Sequence, residues 1–373
     1  MIEIKEVKTR KQKRQFVDLP NKMYKNNPYF VPALRLDEMN LFKPKNVNYE
    51  DSEAKFFLAY KDKKVVGRIA AIIQKTYNKK TGEKRVRFSR FDCIDDKEVA
   101  KALFDAVENY AREKGMEIVH GPLGFNDLDR EALLIEGFNH LSTYEEQYNF
   151  PYYQSLIENA GYEKEVDYLE YKIFPIKERD ERIDRIANAV MKKHNLHVGT
   201  AKNKKEFIEK YKEGLFKVVE EVYSPLYGTV PFTDAVRDQI ISQFKLFLNI
   251  NYMVIFCDEN EKVVAFGFAI PSVSKVLQNT RGRILHPKIL GIIKAVRKPE
   301  VLDLALTGVL PEYRAKGANA LILQFMMAQL ATKNLKYVET NLNLEDNVLI
   351  QNQWKNFPNI NHKRRRVFVK KLV

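Results

Sequence analysis

Cysteine is nearly absent: Cys93 and Cys257 are the two in 373 residues, each inside an apolar, strand-like run. A disulfide framework is therefore excluded, and no thiolate cluster is available for zinc. Histidine is scarce too. The six are scattered, without serine, cysteine or carboxylate partners at useful spacing, so no Ser-His-Asp or Cys-His constellation is readable and no metal is expected. No run approaches the roughly 18 to 20 uncharged apolar residues of a membrane span. The opening Met1-Ile-Glu-Ile-Lys-Glu-Val reads as a strand, not a signal peptide, so the expected location is cytoplasmic.

What is present is an ordinary globular composition, 45% apolar and 30% charged, in a chain long enough for two domains with separate cores. The net charge of +14 calls for a partner of negative charge. A phosphorylated ligand, tRNA or an anionic membrane surface would each qualify, and many of the lysines can simply solubilise the surface. The densest cluster is His362-Lys-Arg-Arg-Arg366, with Lys370 and Lys371 behind it. Val367, Phe368, Val369 and Leu372 are interleaved, which predicts a last strand with a basic approach.

The two halves repeat one order of elements. In the first, strand 2–7 and helix 10–24 precede a hairpin (54–60 and 65–74, turned at 61–64), strand 86–93, helix 97–113, strand 117–120, helix 152–160 and strand 168–174. The 97–113 segment shows helical spacing through Val99, Ala102, Leu103, Ala106, Val107 and Tyr110. In the second half come strand 197–201, helices 204–222 and 233–247, and a hairpin (252–257 and 263–270, turned at 258–261). Strand 301–308, helix 318–333, strand 337–341, helix 346–356 and strand 366–372 follow. A charged stretch, Lys177 to Arg182, marks the expected junction between domains 1–178 and 179–373. The segment from Lys275 to Glu300 interrupts the second copy with cations beside Leu285, Ile289, Leu290, Ile292 and Ile293. It reads either as a basic amphipathic lid or as a surface helix packed on the sheet.

The stretch Leu306-Thr-Gly-Val-Leu-Pro-Glu-Tyr-Arg-Ala-Lys-Gly-Ala-Asn-Ala-Leu-Ile-Leu323 is an apolar strand that breaks at Pro311 and restarts as a helix after a basic, glycine-containing loop. Such a loop can hold a pyrophosphate, because free backbone N–H groups, the positive helix end and two cations, Arg314 and Lys316, converge there. Arg314-Ala315-Lys316-Gly317-Ala318-Asn319 resembles the acyl-CoA pyrophosphate loop of the GNAT N-acyltransferase superfamily, with Asn319 where a small residue is usual. The helix starting at Asn347 resembles that superfamily's next motif, and Trp354 stands where its acidic tyrosine is usual. The repeated element order is also that of the GNAT fold.

The resemblance implies an α/β fold of two tandem GNAT-like domains, each a mostly antiparallel mixed sheet flanked by helices. It further implies acyl transfer, with acetyl expected, from acetyl-CoA or another acyl-CoA to an amine or amino-acid-like acceptor. CoA would lie along Leu306, Thr307, Gly308 and Val309, with Arg314 to Asn319, Asn347 and Trp354 completing its site. Transfer needs a base. Asp303, Glu339 and Glu312 are the candidates, with Glu339 preferred because such bases sit on neighbouring strands in the superfamily.

In the first copy the equivalent position reads Ile94-Asp-Asp-Lys-Glu98, with no glycine and three carboxylates that would cap their own helix and repel a pyrophosphate. CoA binding is therefore expected only in the second copy. His120-Gly-Pro-Leu-Gly-Phe-Asn126, Glu136-Gly-Phe138 and Gln147-Tyr148-Asn149-Phe-Pro-Tyr-Tyr153 resemble a family of bacterial tandem GNAT-like proteins over nearly the whole chain. Asn126, Tyr148 and Asn149 are acceptor-site candidates, unless these polar groups only satisfy their own loop. Two other functions fit the same residues. One is a Fem-type transferase, which joins two GNAT-like domains and takes its aminoacyl group from tRNA. The other is a non-catalytic acyl-CoA or small-ligand binding protein.

Overall fold

The hairpins form where the turn residues allow them. Asp62 and Lys63 both take positive φ (51° and 63°), the two-residue geometry whose twist matches antiparallel strands. They join β2 (Ser52–Lys61) to β3 (Lys64–Gln74). The computed structural model describes residues 1–372 except Ile284 and Lys333. Its other strands are β1 (Ile2–Glu6), β4 (Arg85–Cys93), β5 (Ile118–Gly121), β6 (Leu133–Glu136), β7 (Glu163–Ile173) and β8 (His197–Val198), then β9 (Met253–Cys257), β10 (Val263–Pro271), β11 (Val301–Val309), β12 (Tyr337–Thr340), β13 (Asn343–Leu344) and β14 (Asn359–Lys371).

All fourteen strands join one mixed sheet, in the order β1-β2-β3-β4-β5-β14-β7-β12-β11-β10-β9-β8, with β6 on β14 and β13 on β7. The order is symmetric about the central β14–β7 pair. The parallel pairs β4–β5 and β11–β12 occupy matching places on its two sides. Each half has lent its last strand to the other. β14 pairs with β5 of the first half, and β7 pairs with β12 of the second. Helices cover the sheet. Helix Lys97–Glu113 has the expected bounds, is capped by Asp96, and buries Val99, Leu103, Phe104 and Val107.

Several elements differ from expectation for identifiable reasons. β14 begins at Asn359 and not Arg366, and β7 at Glu163 and not Tyr168, because their polar residues pair across the sheet centre and not with solvent. The charged junction, Lys177 to Arg182, leads directly into helix Glu181–Lys193. Asp180 caps it, and Ile183, Ala187 and Val190 enter the second core. Helix Asn319–Leu330 stops short of the expected end, and Lys333 lies outside the described residues. The 275–300 segment packs onto the fold through two short helices. Helices Ser274–Thr280 and Gly291–Arg297 rest on a cluster of Val31, Leu34, Phe247, Ile270, Leu277 and Ile292. The Gln278 amide donates to the carbonyls of Pro28 and Phe30, tying the segment to the first half.

Candidate active site

A cleft opens in the second half because β11 loses a neighbour part-way along its length. β11 runs parallel to β12 only from Val301 to Leu304. Beyond Thr340 the chain turns away to form β13 against β7. On its other edge, Phe268 and Ala269 of β10 pair with Leu306 and Leu304, so Ala305 is an extra, bulged residue. The stretch from Ala305 to Val309 thus has one edge without a strand. At that edge the Tyr223 hydroxyl donates to the Thr307 carbonyl (2.9 Å) and accepts from its N–H (3.3 Å). Arg314 Nε donates to the Val309 carbonyl at 2.8 Å. Gly308 is required, since a Cβ there would lie 2.6 Å from Phe266 Cε1.

The cleft is a cavity of about 830 Å³. It brings together Leu306, Thr307, Gly308, Val309, Arg314, Asn319, Asn347 and Trp354, while Ala315, Lys316, Gly317 and Ala318 fall outside its lining. The loop is tighter than its sequence implies. The N–H groups of Lys316, Gly317 and Ala318 donate to the carbonyls of Tyr313, Arg314 and Tyr313, so they are not the free donors expected. Lys316 lies over the Tyr313 ring at 4.3 Å. Gly317 has φ +83°, which lets the loop turn into the helix. Asn347 caps helix Val348–Trp354 through Ile350 N–H. The Trp354 indole N–H donates to Asn343 Oδ1 at 3.1 Å.

The three sequence candidates for a base lie apart from the cavity lining. Glu312 is exposed and pairs with Lys262 at 2.9 Å. Asp303 is buried against Glu339 and Glu145, which pushes its carboxyl well above the ordinary range. Glu339 is buried between His362 Nε2 (2.8 Å) and Lys363 Nζ (2.5 Å). Lys363 outweighs the cost of burial and holds the Glu339 carboxyl down at about 2, too weak a base for an ammonium proton.

The basic cluster is likewise committed internally. Lys363 and Arg365 are fully buried on Glu170, Arg364 and Arg366 pair with Asp167, and Lys370 pairs with Glu108. A tRNA partner would draw on such cations if they were free. Paired with carboxylates of the fold, these five are less available to a nucleic acid than their sequence clustering implies.

In the first half the matching edge is filled by the chain itself. The Tyr153 hydroxyl accepts from Cys93 N–H (3.1 Å) and the Tyr152 hydroxyl donates to the Cys93 carbonyl (2.8 Å). Asp96 caps the following helix and pairs with Lys61 at 2.8 Å. Asn149 is wholly buried, its amide bonded on both sides to the backbone of Leu134. Tyr148 donates to the Phe138 carbonyl, and Asn126 accepts from Leu128 N–H. None of the three lines the cavity, although Asp127 and Leu128, next to Asn126, do.

Sequence reasoning missed a second chamber. An apolar pocket of about 120 Å³ is lined by Phe207, Leu215, Phe216, Ile241, Phe244 and Phe268, among others. It shares Ala305, Leu306, Asn341, Leu128 and Glu146 with the large cavity, so the two meet at the β11 bulge. Glu146 lines both chambers, and Glu145 lines the apolar one. Asn341 Nδ2 donates to Glu145 Oε2 at 2.7 Å, and Asn341 N–H donates to the Leu304 carbonyl. Burial raises the Glu145 carboxyl to about 7, partly offset by that hydrogen bond. Burial raises Glu146 as well, and its buried Oε2 has no hydrogen-bond partner among the described residues, with Arg365 Nε 3.9 Å away. The only sequence signal was two adjacent carboxylates inside the aromatic run Tyr144 to Phe150.

No protein-family model matches the chain. It is 24% identical over 371 residues to protein YghO of Escherichia coli (strain K12), covering 96% of this chain and 93% of that protein. It is also 24% identical over 328 residues to the bacterial ceramide synthase of Caulobacter vibrioides, covering 86% and 84%. A tandem GNAT protein from the clavulanic acid biosynthesis pathway superposes over 100% of this chain and 98% of its own, with a TM-score of 0.54 at 11% identity. The mixed sheet repeated about one central strand pair is thus matched over its whole length by a solved structure of that kind: this chain has a tandem GNAT fold.

Proposed function

We propose that the protein is an acyl-CoA-dependent N-acyltransferase whose acyl-CoA lies in the second half, residues 179–373, and whose acyl group is longer than acetyl. The carrying observation is the junction of the large cavity with the apolar pocket at Ala305 and Leu306. A thioester placed along the open β11 edge would sit where a hydrocarbon tail can turn into the pocket and leave water. One relative bears the name of a ceramide synthase, an enzyme named for a lipid amide, and this supports a fatty acyl group over acetyl. The first half, 1–178, would bind no CoA, since Asp95, Asp96 and Glu98 stand where the phosphates would lie and Asp96 already caps the following helix.

In the reaction the amine nitrogen forms a bond to the thioester carbonyl, the C–S bond breaks, and the amine loses one proton while the thiolate gains one. Glu145 is placed to take the first proton. Its carboxyl, raised to about 7, is ionised in a useful fraction at neutral pH and is a far stronger base than Glu339. Tyr223 is placed to supply the second. Burial holds its hydroxyl at about 12, so it keeps its proton, and it already reaches the Thr307 edge. This makes good the loss of an acidic tyrosine at Trp354. Arg314, anchored through Nε on Val309, would turn its remaining N–H groups to phosphate.

Titration of the protein with acetyl-CoA and palmitoyl-CoA tests this reading. Palmitoyl-CoA is expected to bind at least about tenfold more tightly, given roughly 0.8 kcal/mol per buried CH₂. Arg314→Glu should weaken both ligands by about tenfold or more relative to Arg314→Gln, which removes the cation without placing a negative charge in the cavity. Equal binding of both thioesters would remove the acyl-pocket reading, and no binding of either would remove the CoA site.

A further inference from the structure

The 275–300 segment leaves a surface that the fold does not use. From Lys275 to Lys298 the chain carries seven cations and no carboxylate. Arg281, Arg283, Lys288, Lys294, Arg297 and Lys298 are exposed and, among the described residues, have no ion-pair partner within 4.0 Å. Between them stand large apolar side chains turned to water. Leu285 is 99% exposed, Leu290 69% and Ile293 50%. An exposed leucine alone needs no explanation, but three in nine residues on a two-sided basic frame do. Leu36 and Leu246, also more than half exposed, flank the same cluster: Leu36 adjoins Arg35, whose N–H donates to Gly282, and Leu246 adjoins Phe247.

We propose that this surface docks the protein on an anionic lipid bilayer, with Leu285, Leu290 and Ile293 entering the headgroup boundary and the surrounding arginines and lysines meeting lipid phosphates. Charge complementarity selects the occupant. A neutral protein partner would leave six cations desolvated, and a nucleic acid would gain nothing from the leucines. No helix among the described residues is long and apolar enough to cross a membrane, so attachment is interfacial. The location also has a use. Ile270, Phe244, Leu248 and Ala305 belong both to the cluster beneath the segment and to the lining of the apolar pocket or its border. A lipid substrate could therefore pass from the bilayer to the pocket by a short apolar route. That last step rests on the acyl-pocket reading, whereas docking itself does not.

Flotation of the full chain with vesicles of phosphatidylcholine, alone or mixed with phosphatidylglycerol, tests the proposal. Binding is expected only to the mixed vesicles and should fall with added salt. The charge variant Lys288→Glu/Lys294→Glu/Arg297→Glu should weaken it by about 100-fold or more. The apolar variant Leu285→Ser/Leu290→Ser/Ile293→Ser should abolish flotation while leaving the urea-unfolding midpoint unchanged, which shows that the chain still folds. No flotation of the wild type, equal flotation on neutral vesicles, or both variants floating like the wild type would each overturn docking. So would concentration-dependent self-association that the serine variant abolishes, since the patch would then join two copies of this chain.

Discussion

Glu145→Gln is expected to lower the rate of acyl transfer by about 10² to 10⁴-fold, the usual worth of a positioned general base. Acyl-CoA affinity should change little, because Glu145 borders the apolar pocket and lies away from the pyrophosphate loop. The wild-type rate should rise with pH and level off above about 7, as the carboxyl ionises, and the variant should lose that limb. Stability separates this role from a structural one. The Glu145 carboxyl is raised above its ordinary 4.5, so the unfolded chain releases its proton first and stability falls as pH rises from 4.5 toward 7. Glutamine removes that cost, and the variant should be no less stable than the wild type at neutral pH. A pH–rate profile with unchanged shape in Glu145→Gln would assign the proton transfer to another group.

Glu170→Gln should cost about 3–5 kcal/mol of folding stability, measured by urea unfolding, because it leaves two buried cations without their shared anion. Lys363 Nζ lies 3.2 Å and Arg365 Nε 2.5 Å from the Glu170 carboxylate, and all three side chains are fully buried at the β14–β7 pair. Arg365 also donates to the Gln147 carbonyl, so it cannot swing out to water without breaking the second bond. The pH dependence has the opposite sign to that of Glu145. The cations hold Glu170 below its ordinary value and Glu339 at about 2. Their contribution is present above the ordinary 4.5 and is lost as pH falls from there toward 2. The wild type should lose stability on acidification over that window, and Glu170→Gln should show a shallower slope. A variant as stable as the wild type would show that the cations find other partners.

How much of this was readable depended on the range of the interactions. Helix 97–113 and both hairpins were readable because apolar spacing and turn residues act within a few positions. The loop from Arg314 to Asn319 and the helix from Asn347 were found in the same way, and both border the cleft. The 181–193 helix was missed because a charged first turn resembles a linker when its buried stripe, Ile183, Ala187 and Val190, has no visible partner. The exchange of β7 and β14 was not readable at all, since a strand carries no mark of which distant edge it will join. Asn149 looked like a ligand-binding amide and proved to be bonded to Leu134, a contact fifteen residues away in sequence.

By itself, then, the sequence determined the repeated element order, the α/β class, and the contrast between a basic, glycine-containing turn in the second copy and an acidic one in the first. These depend on local periodicity, capping and turn chemistry. Only the tertiary structure decided which charges act. It spent Lys363 and Arg365 on Glu170 and Glu339, left the cations of 281–298 in water, and raised Glu145 beside an apolar pocket. The reason is that a side chain's charge state and availability follow from its burial and its neighbours, and both are set by contacts between residues far apart in the chain.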